Sequence, residues 1–209
     1  PDFLVRQHFI GTRTAARKIL MLTWSARAAK TLCPQTSRVQ QLGQNRSSCR
    51  RRARSHRVIL YPRLDITREN FTMLAMNLYN KIYPNKEIPA LETKFTDCRD
   101  DPNVNNAAVL GIVTGYEDGT FRPYKTISRQ EAATMLDRLY AALGGQTELI
   151  ADPAYADDAQ LGDWARGSVY AMRQTGIMQG KENNRFCPTD GYTAEQSIVT
   201  IERMYQIIK

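Results

Sequence analysis

The chain holds only two histidines, His8 and His56, and both lie within its first sixty residues. The rest of the sequence therefore has no imidazole for general acid–base work or for a histidine-ligated metal. Its four cysteines (Cys33, Cys49, Cys98 and Cys187) form no C-x-x-C pair and no zinc-ligand spacing. Four cysteines permit three complete pairings, and the sequence does not choose among them, so isolated thiols are the expected state. No apolar run approaches the ~20 residues that span a bilayer. Residues 17 to 29, RKILMLTWSARAA, have the outline of a basic flank, an apolar core and a small-residue site, but Ile19 to Trp24 is too short for a secretory core. Acid is nearly missing from one end. Residues 1 to 60 carry thirteen Lys/Arg against the single Asp2, whereas residues 61 to 209 carry sixteen Lys/Arg against twenty Asp/Glu.

The net charge of +8 thus averages two unlike materials. The basic part peaks at NRSSCRRRARSHR, residues 45 to 57, and shows little apolar periodicity, so residues 1 to 58 are expected to be poorly ordered. Two readings stay open for it: an arm for an anionic polymer, or a leader, linker or misread segment without a role. The scarcity of aromatics that would stack on bases argues against nucleic acid as a partner.

What the sequence does have is a repeat. A shift of 65 residues places Gly111-Ile112 on Gly176-Ile177, Gly115 on Gly180, and Phe121-x-Pro123 on Phe186-x-Pro188 without a gap. After each Pro comes a hydroxyl residue, Ser128 or Thr193, followed three positions on by Glu131 or Gln196. That spacing predicts a capping box twice, in which the hydroxyl accepts from an orphan backbone N–H and the Glu/Gln reaches back. Ala132, Met135, Leu136, Leu139, Tyr140 and Leu143 then recur at the spacing of an amphipathic helix. Ser197, Thr200, Ile201, Met204, Tyr205 and Ile208 repeat the pattern. Upstream of each loop lies an aromatic-x-Asp step, Phe95-x-Asp97 or Tyr155-x-Asp157, and a first helix, clearest from Asp163 to Thr175. Half of a third copy precedes these. Pro62 and Ile66-Thr67-Arg68 stand sixty-one residues before Pro123 and Ile127-Ser128-Arg129, but Arg50-Arg51 falls where Gly-Ile would be.

These residues resemble the S-layer homology domain, a wall-anchoring module of Gram-positive surface proteins. The motifs that carry the resemblance are Phe95-x-Asp97, Gly111-Ile112-x-x-Gly115, DGTFRP and ISRQE in one unit. Tyr155-x-Asp157, Trp164-Ala165, Gly176-Ile177-x-x-Gly180 and Phe186-x-Pro188 carry it in the next, and ITREN in the half unit. The resemblance covers about residues 59 to 209. It implies an all-α bundle of helix–loop–helix repeats about a pseudo-threefold axis, divided as a partial repeat at 59–90 and repeats at 91–150 and 151–209. It further implies noncovalent attachment to a peptidoglycan-linked secondary cell-wall polysaccharide, often one bearing ketal-linked pyruvate. The location implied is extracellular, with other S-layer proteins as possible neighbours.

By the motif match, Arg68 and Arg129 are the candidates for an anionic sugar, with Thr67 and Ser128 beside them, Gly115 and Gly119 in the loops, and Trp164 at the start of a first helix. An exposed helix N-terminus with unpaired N–H groups and an adjacent guanidinium would suit a carboxylate. Trp164 reads as a core or groove-wall residue before a sugar platform. The last unit has Ala194 where the arginine should be, and the half unit should leave one groove incomplete. An alternative is therefore a structural or protein-interaction remnant without glycan affinity. Glu69, Glu131 and Glu195 are explained by capping positions, so no catalytic residue, metal ligand or cofactor is expected. The Asp-rich stretches DCRDDPN and ADPAYADD lack the spacing and glycine of a calcium loop and read as solvated loops or caps.

Overall fold

A computed structural model describes residues 63–89, 95–98, 101–148 and 154–209. The expectation about residues 1–58 and the thiols of Cys33 and Cys49 lie outside the described residues. The described residues form five α-helices: α1 Arg68–Ile82, α2 Pro102–Val109, α3 Arg129–Ala142, α4 Asp163–Gln174 and α5 Ala194–Ile208. Among them there is no strand, only isolated bridges. No helix among them is long and apolar enough to cross a membrane.

Each long helix starts where the hydroxyl spacing says it should. Ser128 accepts from the Glu131 N–H while the Glu131 carboxylate accepts from the Ser128 N–H, and Thr193 and Gln196 do the same for α5. Thr67 caps α1 by accepting from the Asn70 N–H, without the reciprocal acid. The short α2 uses Asp101 as its cap, with Pro102 at the first helical position where a missing N–H costs nothing. The repeated Gly-Ile ends the first helix of each full unit. Gly111 and Gly176 sit at φ +72°, a left-handed conformation that spares glycine the Cβ clash. At Gly111 the chain closes with Gly111 N–H to Ala108 O and Ile112 N–H to Ala107 O, and the isoleucine turns into the core.

The three units meet in a ring of backbone hydrogen bonds. Ile66 N–H donates to Tyr192 O (2.8 Å), Tyr192 N–H to Ile127 O (3.0 Å), and Ile127 N–H to Ile66 O (3.1 Å). Three equivalent positions that close on one another in a cycle define the pseudo-threefold axis, and the half unit fills the third place. Side chains of the same residues plug the axis: Ile66, Ile127 and Tyr192 are all buried, and Phe71 meets the Tyr192 ring edge-on at 6.0 Å. Around this plug the helices pack as α1 against α2 and α5, and α3 against α4. The buried face of α1 holds Phe71, Leu74, Ala75 and Leu78, and from the predicted faces Ala132, Met135, Leu136 and Leu139 are buried on α3, and Ser197, Thr200, Ile201 and Met204 on α5.

Candidate functional site

The aromatic-x-Asp step turns out to be a clamp. Asp157 accepts from the Phe186 N–H (2.8 Å) and the Cys187 N–H (2.7 Å), and Asp97 accepts from Phe121 and Arg122 at 2.8 Å each. Both second donors, Cys187 at φ +57° and Arg122 at φ +58°, lie in the left-handed region that non-glycine residues seldom occupy. One carboxylate per unit therefore holds the Phe-x-Pro loop in a bend it would not adopt alone. Partial desolvation opposes the charge on each carboxylate, but the two N–H donors outweigh it and hold both pKa values below the ordinary range. Asp157 is buried at 5% exposure, so this carboxylate of ADPAYADD, a stretch that reads as a solvated loop or cap, is not solvated. The partner aromatic explains the second glycine of Gly-Ile-x-x-Gly. A Cβ on Gly115 would stand 2.6 Å from the Phe95 ring, and one on Gly180 would stand 2.8 Å from Tyr155.

Into each loop reaches an arginine from the preceding unit. Arg68 Nη2 donates to Thr114 O (2.8 Å), and its guanidinium carbon lies 5.1 Å from the Phe121 ring centre and 5.2 Å from that of Tyr116. Arg129 repeats the act one unit on, with Nη2 to Gln179 O (3.0 Å), Nε to Phe186 O (2.9 Å) and the guanidinium 4.9 Å from Phe186. Arg68 and Arg129 are 7% and 4% exposed. Burial pulls the Arg68 pKa down, while Tyr116 and Glu131 counteract it. These are clasps across the seam between units, made from planar donors suited to carbonyl oxygens and aromatic faces.

The N–H groups expected to stand open at the helix starts are paired. The first two N–H groups of α1, from Arg68 and Glu69, donate to Lys125 O and Pro123 O of the next unit. Those of α3, from Arg129 and Gln130, donate to Asp190 O and Pro188 O. The next donor of each helix is taken by Thr67 or Ser128. Unit-to-unit pairing has consumed the donors that a free helix terminus would offer. Thr67, Arg68 and Gly115 do come together at the first seam, and Ser128 and Arg129 at the second. Gly119, at φ +75°, closes the Tyr116–Gly119 turn.

The accessible cations lie around the loop rims. Lys125 donates to Tyr116 Oη (3.0 Å) and Glu131 Oε1 (3.1 Å), Arg122 pairs with Asp118 (2.8 Å), and Lys181 pairs with Asp190. Lys181, Glu182, Asn183, Arg185 and Cys187 line a shallow depression on the last unit. At the third seam Ala194 has no clasp to offer. Trp164 is neither core nor close to the arginines. It is 59% exposed and lines a separate cleft between α3 and α4.

Two stretches, residues 95–133 and 154–191, match the family model of the S-layer homology domain. These two stretches are S-layer homology repeats. Ile66 completes the ring from outside both matched stretches. Over 144 residues the chain is 27% identical to an amylopullulanase of Thermoanaerobacterium thermosulfurigenes, covering 67% of this chain and 8% of that protein. It is 29% identical over 131 residues to exoglucanase XynX of Acetivibrio thermocellus, covering 61% of this chain and 12% of the enzyme. An S-layer protein of Bacillus thuringiensis subsp. finitimus shares 32% identity over 81 residues, 39% of this chain and 9% of the relative. The chain spans only a small fraction of the length of the curated relatives it matches.

The loop clamp and the seam pairing escaped the sequence reading for one reason. Asp97 and Asp157 were visible as a repeated step, but their partners lie 24 to 30 residues away, and nothing local marks them.

Proposed function

We propose that these S-layer homology domains anchor a surface protein noncovalently to the cell wall by gripping an acidic secondary cell-wall polysaccharide, of the pyruvylated kind, at the seams between units. The observation that carries this reading is the same built feature occurring twice: a loop bent by one carboxylate (Asp157 buried, Asp97 exposed), clasped by an arginine, and rimmed by cations. Thr67, Ser128, Gly115 and Gly119 shape the seams. Arg68 and Arg129 hold the loops in place, and any contact with a ligand carboxylate passes through the N–H groups their carbonyl bonds leave over. Lys125, Arg122, Lys181 and Arg185 are the charges that solvent reaches. Relatives named as S-layer proteins, and enzymes in which the shared part is a small share of the chain, both fit an attachment module whose catalytic companions lie elsewhere. The region would then act outside the cell, at the wall.

A second reading, a structural remnant without glycan affinity, draws on the burial of both arginines and on Ala194. The deciding experiment is a binding isotherm on acid-released wall polysaccharide, before and after removal of pyruvate. Saturable binding that needs pyruvate and weakens about tenfold in Lys125→Gln and Lys181→Gln together supports the anchor, one decade being 1.4 kcal/mol. Equal retention on any polyanion, abolished by salt, would reduce it to plain charge attraction. Absence of binding leaves the remnant.

A further inference from the structure

The cleft between α3 and α4 has a chemistry unlike that of the seams. One wall is the Trp164 indole, largely exposed at the start of α4, and the other is Tyr140 from α3. Both rings are seated on glycine: a Cβ on Gly162 would stand 2.5 Å from Trp164 Nε1, and one on Gly145 would stand 2.4 Å from the Tyr140 ring. Rings braced in this way are held in place before anything binds, which lowers the ordering cost of binding. The polar groups are acceptors and hydroxyls. Asp137 Oδ2 accepts from Ser168 Oγ (2.8 Å), and the Asp163 side chain is fully exposed, 3.6 Å from Arg166. Thr147 Oγ1 is buried with no hydrogen-bond partner among the described residues. Among the described residues, no lysine or arginine lines the cleft.

We propose that this cleft is a second glycan subsite, which takes an uncharged pyranose residue stacked on Trp164. An apolar platform with a few convergent polar groups is the usual composition of a small-ligand site. A sugar offers a C–H face to the indole and hydroxyl donors to the two carboxylates, whereas an anionic sugar would meet Asp137 and Asp163 as like charges. The first full unit cannot duplicate it, because α2 contains no aromatic residue. This inference rests on the anchoring reading for its glycan, but it assigns a different residue class to a different place. A seam would read the acid, and the cleft a neutral neighbour along the same chain.

Trp24 and Trp164 are the two tryptophans of the sequence, so a Trp24→Phe background leaves Trp164 as the only indole reporter. In that background, depyruvylated wall polysaccharide and chitotriose are titrated against Trp164 emission. The expected result is a saturable emission change with at least one of them, unaltered between about 0.05 and 0.5 M salt, since no ion pair is involved. Trp164→Ala should bind the depyruvylated polysaccharide about tenfold more weakly by calorimetry, with unchanged circular dichroism. A response to neutral sugar without pyruvate-dependent wall binding would keep the cleft and sink the seam reading. Silence of Trp164 with both probes, alongside intact pyruvate-dependent binding in Trp164→Ala, would overturn the cleft and leave the seams standing.

Discussion

Removing the Asp157 carboxylate should unfasten the last repeat. Its side chain is 2% exposed and accepts two backbone N–H bonds of 2.8 and 2.7 Å, one of them from a residue at φ +57°. Hydrogen bonds to an ionised group contribute about 1.5–3 kcal/mol each, and the buried N–H of Phe186 would be left unpaired. The pair is not additive, so Asp157→Ala should cost about 3 kcal/mol or more, a large share of the 5–15 kcal/mol of a typical domain. For a protein of this size that lowers Tm by roughly 6–12 °C. Arg185 Nε, at 3.8 Å and half exposed, adds little. Asp157→Asn should rescue at most one bond, because its amide nitrogen would face the second N–H. The folded pKa of Asp157 is depressed, so its contribution is complete above the ordinary carboxylate pKa of about 4 and is lost as pH falls through the folded value. Urea denaturation followed by circular dichroism, at pH 7 and at successive steps below pH 5, reads both effects. The reasoning fails if Asp157→Ala lies within about 0.5 kcal/mol of the parent at pH 7, the scatter of an ordinary surface change. It also fails if the variant keeps the parent's full acid sensitivity. Asp97 makes the same bonds in an exposed setting, and its alanine variant should cost less.

Arg129→Ala should destabilise the fold by about 3 kcal/mol in the same assay, since two carbonyls lose a charged donor, and Arg129→Lys should recover one bond at most. Gly115→Ala drives a Cβ to 2.6 Å from Phe95 and 2.9 Å from the Thr120 carbonyl, so about 1–3 kcal/mol should be lost in urea melts, with no gain from reduced chain entropy. Ser128→Ala removes the α3 cap and should cost about 0.5–2 kcal/mol, read as a lower denaturation midpoint at unchanged m-value. Burial, with Asp101, Glu69 and Asp97 nearby, pushes the Cys98 thiol up to about 12, so iodoacetamide at pH 8 should label it only after unfolding, as peptide mass spectrometry would show.

The sequence by itself determined what depends on neighbours within four or five residues. Hydroxyl caps at Ser128 and Thr193 and the apolar faces of the helices they start were legible, because their hydrogen bonds and periodicities close within the element that carries them. The repeat spacing showed two and a half units, and the family resemblance implied the axis they share. Only the tertiary structure decided the chemistry at the seams. Arg68 and Arg129 look like exposed charges at helix starts, yet they are buried because the carbonyls of Thr114, Gln179 and Phe186, forty-six to fifty-seven residues on, present better partners than water. The α1 and α3 N-termini look open, yet they are filled by carbonyls from the following unit. Asp157, in a stretch that reads as a solvated loop or cap, is the buried pin of its loop, whereas Trp164, which reads as core or groove wall, lines a cleft with its indole largely exposed. In each case the deciding partner is distant in sequence, and local pattern carries no record of which donor and which acceptor the closing of the ring brings together.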